Sequence, residues 1–198
     1  MGMTMSMQRL HPEELLRALG DPERGLRLAA YVPLPMPQAL IAQLRGKLAA
    51  APPQQRSALE QKLQEAGNPR SLGLDKSWHL VHYVLSGSRS LDIAGPGSPA
   101  TEQIILGIHK TAYDVGYGPA LYLFADEVQH CASVLASISD ASLRHRLDGS
   151  KKYQQEIYGG GWSGDAEEGQ FILDVIATMR SFFVDAAASG DCLFKSVT

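Results

Sequence analysis

Two histidines, His79 and His82, stand three residues apart in the run Leu74-Asp75-Lys76-Ser77-Trp78-His79-Leu80-Val81-His82-Tyr83-Val84-Leu85-Ser86. On a helix that spacing lets both imidazoles approach one point, which is half of a metal site. A structural zinc needs four protein ligands and a catalytic one about three. Nothing in the spacing of His109, His130 or Asp75 brings a further ligand to the pair. The residues therefore call for no metal and no cofactor. Asp75 and His79, one turn apart, could instead work as an acid–base pair. With His82 and Tyr117 they make the candidate catalytic set of a small-molecule hydrolase. A nucleophile is missing: no Gly-X-Ser-X-Gly elbow exists, and Ser77 reads as an ordinary first-turn residue.

Glycine-rich backbone can present N–H groups to an anion. Gly116-Tyr117-Gly118-Pro119-Ala120 and the stretch from Gly159 to Gly164 invite that reading, but neither matches a phosphate-loop pattern. They read better as tight turns that place Tyr117, Tyr158 and Trp162. Those aromatics, with Trp78 and Tyr122, either line a pocket beside the central helix or fill a core. Trp78, Gly116, Gly118, Tyr158 and Trp162 are accordingly the candidate ligand-binding residues.

The element that must position this chemistry is a helix over about 75–86. Asp75 suits its N-cap, facing the positive end of the dipole, and Gly87 suits a left-handed C-terminal position. Trp78, Val81, His82 and Leu85 form one apolar stripe. Leu80, Tyr83 and Val84 extend apolar character around the cylinder, as in a central, mostly buried helix. Capping accounts for Asp75, and packing beside Trp78 and Leu85 accounts for His82, without any reaction.

The rest of the chain supplies the layers. Alternating Met1, Met3, Met5 and Met7 read as a strand with one buried face. A helix over Pro12–Gly20 follows, and Asp21-Pro22-Glu23 starts another. Pro33, Pro35 and Pro37 mark an extended connector. Helices at about 38–50 and 54–66 then form a hairpin insertion, about 37–68. The apolar run Gln103 to His109 reads as a strand covered on both faces, and Leu121 to Phe124 as another. A helix opened by Asp126-Glu127 carries Val128, Cys131, Ala132 and Leu135 on one face, so Cys131 reads as a small core residue. Asp140 caps a helix through Leu147, and 150–158 reads as a further one. A long helix from about Glu167 to Ala188 ends at Gly190, before a terminal strand over 191–197.

The 198 residues fit a single domain of α+β class, a small mixed or antiparallel sheet holding both terminal strands. A net charge of −3 with no charge run gives no reason to expect nucleic acid or an anionic membrane. No apolar run approaches the ~18 residues of a span, and no secretion signal opens the chain. Cys131 and Cys192 form no CxxC pair, which suits reduced thiols in a cytoplasm.

Several elements together carry a likeness: Met1-Gly2-Met3, Leu74-Asp75-Lys76-Ser77-Trp78-His79, Leu85-Ser86-Gly87, Gly116-Tyr117-Gly118-Pro119-Ala120 with Tyr122-Leu123, Glu156-Ile157-Tyr158 before Trp162, and Ala187 to Leu193. On these residues the chain resembles the YfbM-like family of bacterial proteins of unknown function, nearly end to end. The resemblance implies a cytosolic α+β domain and no established reaction. Gene neighbourhoods of toxin and immunity proteins around some relatives point to binding. The chain departs from the pattern in its long helical hairpin and in Phe124-Ala125, where a Thr-Pro helix start is expected. Two function classes stand: a non-enzymatic protein-binding module, immunity-type in one form, and a hydrolase using the Asp/His/Tyr set. The first is preferred, because capping, turns and packing account for most polar residues.

Overall fold

The two ends of the chain meet as neighbouring strands. In the computed structural model, which describes residues 3–29, 46–66, 70–157 and 163–198, β1 (Met5–Leu10) pairs antiparallel with β5 (Cys192–Val197) over Met5↔Val197 to Leu10↔Cys192. Thr4 and Thr198 extend the ladder by exchanging backbone bonds of 2.8 and 2.9 Å. With β2 (Ser71–Asp75), β3 (His109–Asp114) and β4 (Pro119–Leu123) they form one antiparallel sheet in the order β2-β1-β5-β4-β3. The α+β class, with both terminal strands in one sheet, is as expected.

Cross-strand partners share a face, so the register sorts the sheet into two sides. Met5, Met7, Leu72, Leu121, Leu123, Leu193, Lys195 and Val197 face one way. Over them lie α4 (Trp78–Ser86), α5 (Ala100–Leu106), α6 (Ala125–Ser137) and α8 (Ala166–Ser189), which form the main core. Leu10, Ala120, Cys192 and Phe194 face the other way, under α1 (Pro12–Gly20) and the residues after α2 (Pro22–Leu28). The amino-terminal strand is thus buried on both faces, Ser6 as well as Met5 and Met7. It also starts later than the methionine alternation suggests. A fourteen-residue helix, α3 (Pro53–Ala66), and helical residues 46–50 fall in the stretch where a hairpin insertion is expected; residues 37–45 and 67–68 of that stretch and the three-proline connector lie outside the described residues.

Four expectations are corrected. Asp75 does not cap the central helix: it ends β2 with φ +44°, and α4 begins three residues later behind Ser77. Leu72 and Leu74 pair and bury as a strand, and Ser77 closes the turn by donating from Oγ to the Leu74 carbonyl at 2.5 Å. The run from Gln103 is helical, not extended. Its apolar residues are the buried side of α5, and Gly107 at φ +64° turns the chain into β3. Short apolar runs fit either state, and packing between α4 and α6 decides. Ser139, not Asp140, caps α7 (Asp140–Ser150), its side chain accepting from the Ser142 N–H. Finally, of the helix expected over 150–158, the described residues after Ser150 hold only a 3-10 turn at Lys151–Tyr153.

Three successive helices end against a cation from a distant part of the chain. Arg146 donates to the Val84 and Leu85 carbonyls of α4, and Lys195 to the Gln103 and Ile104 carbonyls of α5. Arg180 donates to the Leu135 and Ile138 carbonyls at the end of α6. Each adds donors to carbonyls in the last turn or C-cap of a helix and meets the negative end of its dipole. Among the described residues no helix is long and apolar enough to cross a membrane.

Candidate functional site

The sequence makes α4 apolar on nearly every side, and the fold buries it accordingly: Trp78 through Leu85 are all buried. His79 and His82 are 1% and 0% exposed. Their rings stack with centroids 6.4 Å apart, and Trp78 stacks on His79 at 5.5 Å. The His79 Nε2 lies 3.3 Å from the Arg89 carbonyl oxygen. No hydrogen bond of ordinary geometry reaches either ring nitrogen of His82. Burial lowers the pKa of His79, with the Arg89 carbonyl opposing. Burial, and then the neighbouring His79, push His82 down to about 4, with the Ser90 backbone opposing too weakly. Both imidazoles are therefore neutral at pH 7. Among the described residues no three His, Cys, Asp or Glu side chains come together as a metal set.

The other candidates lie elsewhere. Tyr117 is 58% exposed at the tip of the β3–β4 hairpin. Gly116 and Gly118 take φ +151° and +111°, the positive values expected of this turn. Gly116 lies against the end of β5: a Cβ there would meet the Val197 carbonyl oxygen at 3.0 Å. The next N–H, of Tyr117, donates to that same oxygen at 3.0 Å. The glycine thus lets the hairpin tip clamp onto the carboxy-terminal strand and present Tyr117 at a fixed place. Tyr158 and Trp162 lie outside the described residues.

One opening brings two of the candidates together. A cleft of about 260 Å³ at the end of the sheet's main face has Trp78, Met5, Leu106, Leu121 and Val197 in its walls, with Leu91 and Tyr117 beside them. Every side chain that lines it is apolar or aromatic. Leu91 and Tyr117 are two of the chain's exposed large hydrophobic residues, at 47% and 58%. Of the expected catalytic set, only Tyr117 reaches this opening. Asp75 stands opposite Met5 in the strand register, and the buried histidines are not among the residues that line the cleft.

Three features escaped the sequence reading. The loop between α4 and α5 supplies Leu91 and Ile93 to the cleft; its glycines and serines hid an apolar pair in an apparent linker. Lys195 is fully buried, and burial lowers its pKa to about 7. A signal for it existed, since Leu193, Lys195 and Val197 alternate onto one strand face. His109, finally, meets Glu127 at 2.8 Å and stacks on Tyr122 at 5.1 Å. Glu127 also accepts the Phe124 N–H, opening α6 where a Thr-Pro start was expected. This pair ties β3 to α6, and the His109 and Tyr122 rings pack against Phe124. Cys131 and Cys192 are free and buried, their thiols pushed up by burial.

Comparison with known proteins adds the family and the fold. A search of curated proteins finds no match. The crystal structure of YfbM from Escherichia coli, a protein of unknown function, superposes with a TM-score of 0.60 at 16% identity, covering 98% of this chain and 99% of that one. At that identity the likeness speaks to the fold alone. The family model described as domain of unknown function (DUF1877) matches residues 1–194. The chain therefore belongs to this YfbM-like family of uncharacterised proteins.

Proposed function

We propose that this chain is a non-enzymatic binding module that takes an apolar side chain of another protein into the cleft between Leu91 and Tyr117. What carries the reading is the cleft's composition: the side chains in its walls are all apolar or aromatic, and two large hydrophobic residues stand exposed beside it. Exposed apolar surface rimming a concavity is the mark of an interaction site. Its size decides the kind of occupant. Small-molecule sites run to roughly 300–1,000 Å³ and enclose their ligand. An open cleft of about 260 Å³ suits one or two anchoring side chains. An immunity-type protein that masks a partner's surface would work in this way. Two buried free thiols fit a reducing, cytoplasmic setting.

The hydrolase reading required Asp75, His79, His82 and Tyr117 to converge at an opening. Both imidazoles are sealed while Tyr117 stands in solvent, so no observation favours it. The test is co-purification from cells of the source organism with the wild-type chain and with Leu91→Asp/Tyr117→Asp. Both positions are exposed, so the double variant keeps its fold. A protein recovered in near-stoichiometric amount by the wild type and lost with the variant is expected. Equal recovery by both, or no stoichiometric protein at all, would refute the reading.

A further inference from the structure

One wall of the cleft carries a side chain whose chemistry can change. Met3 stands two residues before Met5, so strand alternation puts it on the main face with Met5 and Met7. Thr4 pins that position: its N–H donates to the Thr198 carbonyl at 2.8 Å, and its carbonyl accepts from the Thr198 N–H at 2.9 Å. Met3 packs against the main core and lines the cleft beside Met5 and Trp78. Access separates the methionines. Met5, Met7 and Met179 are 1%, 0% and 0% exposed, whereas Met3 is only partly buried. Among the described residues it is the methionine that solvent reaches. The two thiols offer no competing target, because Cys131 and Cys192 are buried and burial disfavours the reactive thiolate in both.

We propose that Met3 is an oxidation site that regulates the cleft: hydrogen peroxide converts its thioether to the sulfoxide, and a polar oxygen in an apolar wall turns away the apolar side chain the cleft otherwise takes. The inference rests on the cleft reading above. In the forward step an Sδ lone pair takes one oxygen from the peroxide, the O–O bond breaks, and the other oxygen leaves as water. The sulfur is oxidised by two electrons and the peroxide is reduced. In the reverse step a thiol-dependent reductase removes the oxygen as water while two thiols become a disulfide. Water at the open mouth serves the sulfoxide oxygen while the cleft is empty. An apolar occupant strips that water and offers no donor in its place, so the cost of an unsatisfied acceptor falls on binding. Met5, sealed behind, keeps its thioether and its packing.

The test uses the full chain at pH 7 with a fluorescent apolar probe, N-phenyl-1-naphthylamine. Peptide mapping by mass spectrometry along a peroxide time course is expected to show the sulfoxide of Met3 ahead of those of Met5, Met7 and Met179. With the peroxide removed, the oxidised wild type is expected to bind the probe roughly fivefold more weakly or worse, from the lower end of the cost of an unsatisfied acceptor. Methionine sulfoxide reductases of both stereospecificities, with dithiothreitol, are expected to restore the affinity. Met3→Leu is compared with itself before and after treatment. Its affinity is expected not to respond, although Met1 and Met36 are still there to be oxidised. Met3→Gln is expected to bind weakly without any peroxide. A Met3→Leu protein that still loses affinity on treatment overturns the proposal. So does an oxidised wild type that binds undiminished, or a Met3 that is not oxidised first. Leu91→Ser and Tyr117→Ala, both untreated, separate the two readings. If neither weakens the probe, the cleft reading itself fails. If both do while oxidation of Met3 does not, only the oxidation site fails.

Discussion

Replacing His82 by leucine tests whether the central helix exists for packing. The imidazole is 0% exposed, has no hydrogen bond of ordinary geometry, and titrates at about 4. Its folded pKa is depressed below the ordinary value of 6.5, so the stabilisation it reports is present above pH 6.5. That stabilisation is lost as pH falls from 6.5 through 4, because the unfolded chain takes up the proton first. With about 1.36 kcal/mol per unit, the wild type loses about 3 kcal/mol from this residue between pH 7 and pH 4. Leucine cannot be protonated and removes two unsatisfied nitrogens from an apolar core at similar volume. His82→Leu is therefore expected to be more stable than wild type at pH 7 by about 1–2 kcal/mol. The advantage should widen to about 4–5 kcal/mol at pH 4, the two terms adding. Urea unfolding of both proteins at pH 7, 5.5 and 4 measures it. Parallel stability curves, or a leucine variant that is less stable at every pH, would refute this account of the helix and return the histidines to candidacy for chemistry.

Three further outcomes are expected. Lys195 is depressed from 10.5 to about 7, so its contribution to stability rises with pH through the window from 7 to 10. Between pH 7 and pH 9 the wild type should gain about 2–3 kcal/mol relative to Lys195→Met in urea unfolding. Gly116→Ala forces a side chain to φ +151° and against the Val197 carbonyl, which should cost about 2–3 kcal/mol by thermal unfolding. Gly118→Ala, with open space around it, should cost less. Arg9 bonds the 4%-exposed Asp191 at 3.0 Å and also reaches the Asp185 carbonyl and the Ser189 hydroxyl. Arg9→Met should destabilise by about 3 kcal/mol by denaturant unfolding, less than for an isolated buried pair because Arg70 also reaches Asp191.

The candidate site was half legible. Trp78 and Tyr117 were named from their types and neighbours, and they do line one opening. His79 and His82 were placed on the right helix, but their helical spacing says nothing about which side of α4 the solvent reaches. Asp75 was misread because an aspartate before an apolar run is the signature of an N-cap. Pairing of Leu72 and Met7, 65 positions apart in the chain, drew it into a strand instead.

Local chemistry along the chain was enough for what depends on near neighbours. Pro12 and Gly20 bound a helix, Gly116 and Gly118 make a turn, Gly190 ends the last helix, and two terminal apolar stretches become strands. These follow from dihedral freedom, capping and periodicity, which act over a few residues. The cleft, the sealed histidines and the buried amine of Lys195 depend on which surfaces meet when β5 comes to lie between β1 and β4. Burial is a property of that assembled contact, so no stretch of sequence carries it alone.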